Sequence, residues 1–238
     1  MHQLSIVIPA YNEEKKISKD IEAVYEYFKS NSIDGELVVV DDGSRDKTVE
    51  IANNYKNKFS TLKIITYEKN RGKGYAVKIG ILEATGSYIL ISDSGLCVPY
   101  RCTNTGIELL KGGCDIALGS RKTKDNKSRI VVPQPLYRRL GSRFFKFLLV
   151  AFNIIPKGIE DTQCGFKLYK KDVAHDIFGK MFTEKFMWDI EMLGIANKKR
   201  YKIATFPVDR SNDPDTRYNP IVGSFENLLQ IIKIVLRT

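Results

Sequence analysis

The chain has 238 residues, and its 38 Lys and Arg against 28 Asp and Glu leave a formal net charge of +10. Hydrophobic residues make up 43% and charged ones 28%, ordinary globular usage that excludes a disordered chain and suffices for one large α/β domain. The charge favours an anionic partner: a nucleotide, a nucleic acid or a membrane surface. Four cysteines without a Cys-x-x-Cys pair, and only two histidines, argue against structural zinc and for reduced thiols in a cytosolic setting.

The opening MHQLSIVIPAYNEE turns acidic after a short apolar run, which does not read as a signal peptide. Within it, Leu4 to Ala10 reads as a buried strand ended by Pro9. Asn12 is then a candidate cap for a helix whose apolar positions Ile17, Ile21, Val24 and Phe28 recur at helical spacing. GELVVVDDGS is a second strand, with Ser44 as candidate cap of a helix carrying Val49 and Ile51. TLKIITYE is a third, and NRGKGYAVKIGILEATG starts as a glycine-broken loop and continues as a helix. SYILIS is a fourth strand, and CDIALGSR should be another.

Strands apolar on both faces and joined by helices predict a mostly parallel, Rossmann-like sheet with helices on both sides. Ligands of such sheets sit beyond the carboxyl ends of the strands. Those ends read PAYNEE, DDGSRD, EKNRGKG and SDSG; all four are polar and all four carry carboxylates. Their convergence is the physical argument for a site. Tyr11 can stack on a base, and Glu13 can accept hydrogen bonds from ribose or base donors; the alternative is a strand end followed by acids that favour a helix N-terminus. The glycines of NRGKGYA free backbone N–H groups to cradle phosphate, with Arg71 and Lys73 supplying charge; a plain loop-to-helix turn is the alternative.

From Arg121 to Lys146 nine basic residues face one acid, Asp125, and Phe144 to Ile155 is apolar but too short to span a bilayer. A solvated charge run or an interfacial element with its basic side toward anionic lipid both fit the first; interfacial burial or core packing both fit the second. No aromatic platforms interleave the bases, so nucleic-acid binding is discounted. EDTQCGFKLYKKD and the following segment return to helix and strand, with Asp161 and Gln163 before a glycine turn. WDIE sets Asp189 and Glu191 two apart, on one side of a strand but not of a helix, with Trp188 and Met192 as core candidates. The end, IVGSFENLLQIIKIVLRT, reads as an amphipathic helix. With no repeat or linker, residues 1–238 read as one domain.

SIVIPAYNEE, VVVDDGSRDKT, NRGKGYAV and GSYILISDS resemble, in order and spacing, the N-terminal motifs of family 2 glycosyltransferases of the GT-A fold. LGSR and DTQCGFKLY are similar to the branch that glycosylates polyprenyl phosphates, which includes the dolichyl-phosphate enzymes. The resemblance spans about residues 4 to 195 and implies a nucleotide-sugar half over about residues 1–120 and an acceptor- and membrane-facing half over about 121–238 of the one domain. It implies that Pro9, Ala10, Tyr11 and Glu13 line the base and ribose pocket, and that Asp41, with Asp42, contacts the nucleotide. It implies that Arg121, Arg138, Arg139 or Arg143 clamp the lipid phosphate, a task suited to bidentate guanidinium. Asp161 and Gln163 fall on the acceptor side. Asp189 is the candidate base or orienting group, a base being needed for a hydroxyl acceptor but not for an ionised phosphate.

The resemblance also implies a divalent cation, Mg2+ or Mn2+, held by an Asp-x-Asp motif. Asp93 occupies its first position and Gly95 its second. Three outcomes follow: a cation held by Asp93 with phosphates and waters, neutralisation of the diphosphate by Lys and Arg, or a site without turnover. The function implied is inverting transfer of a hexose, with UDP-glucose favoured over GDP-mannose, to a polyprenyl phosphate at the cytoplasmic membrane face. That reading makes the protein peripheral to an anionic membrane, alone, self-associated or with an anchoring partner. The alternatives are a family 2 enzyme acting on a saccharide hydroxyl and a catalytically weak or inactive nucleotide-sugar-binding protein.

Overall fold

A computed structural model describes residues 2–121, 154–156, 158–185, 187–209, 233–234 and 237. Its strands are β1 (Leu4–Ala10), β2 (Gly35–Asp41), β3 (Leu62–Thr66), β4 (Tyr88–Ser92), β5 (Ile116–Ser120), β6 (Phe166–Lys170) and β7 (Ile203–Pro207). Its helices are α1 (Ile17–Ser30), α2 (Thr48–Asn53), α3 (Lys73–Glu83), α4 (Cys102–Lys111), α5 (Lys171–Lys180) and α6 (Trp188–Lys198). The seven strands form one sheet in the order β3-β2-β1-β4-β6-β5-β7. β1 pairs parallel with β2 and β4, β2 with β3, and β5 with β7. Only β6 is reversed, running antiparallel to both β4 and β5.

Alternation along each strand divides the core between two apolar layers. Leu4, Ile6 and Ile8 of β1 join Ile17, Ile21, Val24 and Phe28 of α1 on one face. Val7 joins Val77 and Ile81 of α3, Phe178 of α5 and Trp188 of α6 on the other. Both faces are covered, which is why β1, β2 and β4 read as nearly unbroken apolar runs. At the end of the sheet away from the polar rim, buried Glu36 accepts hydrogen bonds from the hydroxyls of Ser5, at 2.6 Å, and Thr85, at 2.8 Å. Lys63 Nζ lies 2.7 Å from its other oxygen, so one carboxylate ties β1, β2, β3 and the entry to β4.

Two expected caps are corrected. α1 begins at Ile17 with no side-chain cap, while Asn12 sits in left-handed backbone at φ 52° and accepts a hydrogen bond from Arg45 N. Ser44 likewise does not cap α2; its hydroxyl accepts from Asn12 N, and the carboxylate of Asp46 takes the N–H of Thr48. Local capping gave way to lacing between two loops. Ile154 and Ile155 are buried in the core, whereas the rest of the apolar segment, 144–153, the bases Arg138, Arg139 and Arg143, and most of the segment expected to form a C-terminal helix lie outside the described residues. Among the described residues no helix is long and apolar enough to cross a membrane.

Candidate active site

The carboxyl ends of β1, β2, β4 and β5 open on one rim, and the reversed β6 brings its amino end to the same rim, with Phe166 paired to Ser92. There the chain encloses a cleft of about 580 Å³. Of the expected residues, Pro9, Ala10, Tyr11, Glu13, Asp42, Arg71, Lys73, Asp93, Arg121, Gln163 and Asp189 line it. Asp41 and Asp161 lie behind this lining, each in contact with a residue of the rim.

The β1 and β2 side of the cleft is built from loops bolted together. Asn12 N donates to Ser44 Oγ and Glu13 N to Thr48 Oγ1, both at 2.8 Å, so the β1 and β2 rims hold each other. Asp41 is buried; its Oδ2 accepts from Ser44 N at 3.0 Å, and its Oδ1 accepts no hydrogen bond among the described residues. Asp42 has a different task. One of its oxygens accepts from Arg71 N, and the other from Gly72 N and the Asn70 side chain, at 2.8–2.9 Å. That carboxylate shapes the glycine loop before α3, and with it the position of Lys73. Arg71 pairs with Glu184 and stacks 3.5 Å over the Tyr75 ring.

Three cation–carboxylate pairs lie in and beside the rest of the cleft. Lys73 Nζ lies 2.6 Å from Asp93 Oδ1. Arg121 holds Asp161 through Nε and Nη2, both at 2.7 Å, and through its backbone N–H at 3.0 Å. Lys167, buried in the centre of the sheet, pairs with Asp189, donates to Cys164 O at 2.6 Å and lies 4.7 Å over the Trp188 ring. Burial opposes the charge of Asp93, but Lys73, Lys167 and Arg121 outweigh it and hold that carboxyl below its ordinary range. At Asp189 burial prevails over Lys167 and Lys73, and the carboxyl is pushed up. The helical setting of WDIE sends Glu191 elsewhere, to accept the N–H groups of Phe182 and Thr183.

The turn after Asp93 explains position 95. Asp20, a fully buried carboxylate on the apolar face of α1, accepts the Ser94 hydroxyl at 2.6 Å and the N–H groups of Gly95 and Leu96 at 2.9–3.0 Å. Gly95 has φ 95°, a backbone that L side chains rarely adopt. Among the described residues no three acidic, histidine or cysteine side chains are grouped to hold a metal. Asp93 carries an ammonium, Asp42 carries N–H donors and Asp189 carries Lys167, so the donor set does not fit the divalent cation implied by Asp-x-Asp.

Sequence reasoning missed Asp20, Lys167 and Gly165. Asp20 had a signal, an acid spaced among Ile17, Ile21 and Val24; so did Lys167, a lysine inside an apolar strand. Gly165 shows its role only in three dimensions: a β-carbon there would meet the Asp93 carboxyl group at 2.0 Å.

A Rossmann-like sheet with strapped β1 and β2 rims and a charged cleft is the GT-A architecture, and residues 5–178 match Glycosyl transferase family 2. The chain belongs to that family and is a glycosyltransferase. Its relatives narrow the branch. It is 32% identical over 248 residues to a dolichyl-phosphate beta-glucosyltransferase of Trichomonas vaginalis, covering 98% of this chain and 71% of that one. It is 33% identical over 224 residues to the dolichyl-phosphate beta-glucosyltransferase of Homo sapiens, covering 87% and 67%. Among solved structures, glucosyl-3-phosphoglycerate synthase of Mycobacterium tuberculosis in complex with UDP superposes with a TM-score of 0.69 at 18% identity, over 99% of this chain and 79% of that one. The same synthase with Mn2+, UDP and phosphoglyceric acid gives 0.65 at 19%, over 99% and 78%. At such identities the likeness establishes the fold.

Proposed function

We propose that the protein transfers glucose from UDP-glucose to a polyprenyl phosphate of the dolichyl type, with inversion, at a membrane surface. The observation that carries this reading is the gathering of Lys73, Lys167 and Arg121 around Asp93 beneath the laced β1 and β2 rims. Cations so arranged suit a donor diphosphate on one side and an acceptor phosphate on the other. The names of the relatives supply the sugar and the lipid.

Pro9, Ala10, Tyr11 and Glu13 receive the base and ribose, with Asp41 offering its Oδ1 as an acceptor behind them. Lys73 and Asp93 face the diphosphate. Arg121 and Gln163 face the acceptor phosphate; Asp161 engages Nε and Nη2 of Arg121 and so orients it without taking up Nη1. An ionised lipid phosphate oxygen attacks the anomeric carbon from the side opposite the diphosphate. Its bond to that carbon forms as the bond to UDP breaks, and the electron pair leaves with UDP, so an α-linked donor yields a β-linked product. The second pKa of a phosphate monoester is about 6, so no side chain need remove a proton. Asp189 therefore steadies Lys167 instead of acting as base. One domain serves both substrates, and the charge of +10 draws it, alone, self-associated or with an anchoring partner, to the anionic cytoplasmic face of a membrane.

Incubation with a detergent-dispersed polyprenyl phosphate and each nucleotide sugar tests the reading. Release of UDP with a β-glucosyl phosphate lipid as product is expected. Turnover of GDP-mannose alone, or glucosylation of soluble sugars without lipid phosphate, overturns it. Gly95 motivates a second reading, a nucleotide-sugar-binding protein, which tight UDP binding without any transfer would select.

A further inference from the structure

The two halves of an Asp-x-Asp motif and their cation balance in charge: two carboxylates and one divalent ion sum to zero. Here the second carboxylate is absent, and position 95 is closed to a ready replacement. Its φ of 95° disfavours a side chain, and its N–H is held by buried Asp20. The remaining carboxylate, Asp93, is matched by the ammonium of Lys73 at 2.6 Å, and this pair also sums to zero. The donor diphosphate thus meets the same net charge with one unit fewer on each side.

Geometry adds to the count. Lys73 is the first residue of α3, so its position follows from the loop that Asp42 pins through the N–H groups of Arg71 and Gly72. Asp93 is pinned from behind, its N–H donating to Gly165 O at 3.1 Å and its carboxyl lying against the Gly165 α-carbon. An ammonium has three directed donors; one serves Asp93 and two remain for phosphate oxygens. Both partners line the cleft.

We infer that Lys73, held against Asp93, supplies the positive charge that binds the donor's diphosphate, so that donor binding requires no divalent cation. This rests on the proposed use of a nucleoside-diphosphate sugar, and its test is separate from that of the transfer. UDP is titrated calorimetrically into the full-length protein in excess EDTA and in excess Mn2+, with Lys73→Met and Lys73→Arg measured alongside and a thermal melt to confirm folding. The wild-type Kd agrees within about threefold between the two conditions, Lys73→Met weakens it at least about tenfold, and Lys73→Arg recovers most of the loss. Wild-type binding that appears only with Mn2+ overturns the inference whatever the variants do, as does unchanged affinity in a folded Lys73→Met. Metal-free UDP binding with no sugar transfer upholds the inference and overturns the proposed function instead.

Discussion

Gly165 leaves the carboxylate of Asp93 no room to spare: a β-carbon at residue 165 would lie 2.0 Å from Asp93 Cγ. Gly165→Ala therefore displaces Asp93, and Asp93 carries its pairing with Lys73 along. Steady-state kinetics should show a loss in kcat/KM of about 10²-fold, the usual result of an ångström of misplacement. Urea unfolding should show only about 1–3 kcal/mol of overpacking cost. Kinetics like the wild type's would mean that Asp93 does not touch the donor.

Asp42 offers a second case in which a carboxylate shapes backbone. Asp42→Asn turns one acceptor oxygen into a donor facing donors, the N–H groups of Arg71 and Gly72 and the Asn70 amide. An unsatisfied donor costs about 1–3 kcal/mol, to be read from the urea midpoint. UDP affinity should fall as well, because the first turn of α3 carries Lys73.

The Glu36 knot predicts a pH dependence away from the cleft. Burial opposes its charge, yet Lys63, Ser5 and Thr85 lower its pKa from 4.5 to about 2. In the unfolded chain the group protonates near 4.5 while the native form stays ionised, so its contribution is complete above that pH and is lost as pH falls toward 2. That contribution is at most about 3 kcal/mol. Denaturant titrations from pH 6 to 2.5 should give a steeper decline for the wild type than for Glu36→Gln; equal slopes would contradict the assignment.

Asp189→Asn separates structure from proton transfer. The change weakens the counter-charge of buried Lys167 and should cost about 3–5 kcal/mol of stability. With a phosphate acceptor, the acid limb of kcat/KM belongs to the lipid phosphate, so the folded variant at low temperature should keep its midpoint. A limb that disappears would restore Asp189 as a general base.

The parallel half of the sheet was legible because its signals are local: apolar runs such as LSIVIPA and GELVVVD, each ending in polar residues, follow from burial on both faces. The rim was legible for the same reason, since the ends of parallel strands must meet. The reversal of β6 was not. FKLYK is equally apolar in either direction, and its orientation depends on β4 and β5, which flank it in space. Asn12 and Ser44 were read as caps because each precedes a helix, but their partners lie across the rim, 33 and 32 residues away along the chain. The pairing of Arg121 with Asp161 was hidden likewise: Arg121 was read as a phosphate clamp and Asp161 as a separate acceptor-side residue, and only the fold makes one the orienting partner of the other.

That pairing also makes a neck. The chain leaves β5 at Arg121 and re-enters the sheet just after Asp161, and the two are clasped by three hydrogen bonds at the rim. What joins Arg121 to Ile154 therefore begins and ends on anchored residues, because Ile154, Ile155 and Ile159 are packed in the core ahead of Asp161. Doubling such an excursion costs only about 0.6 kcal/mol in closure entropy. On the proposed function, exchanging residues 122–153 while Arg121, the apolar anchors and Asp161 stay in place is the natural route to a new lipid or sugar recipient.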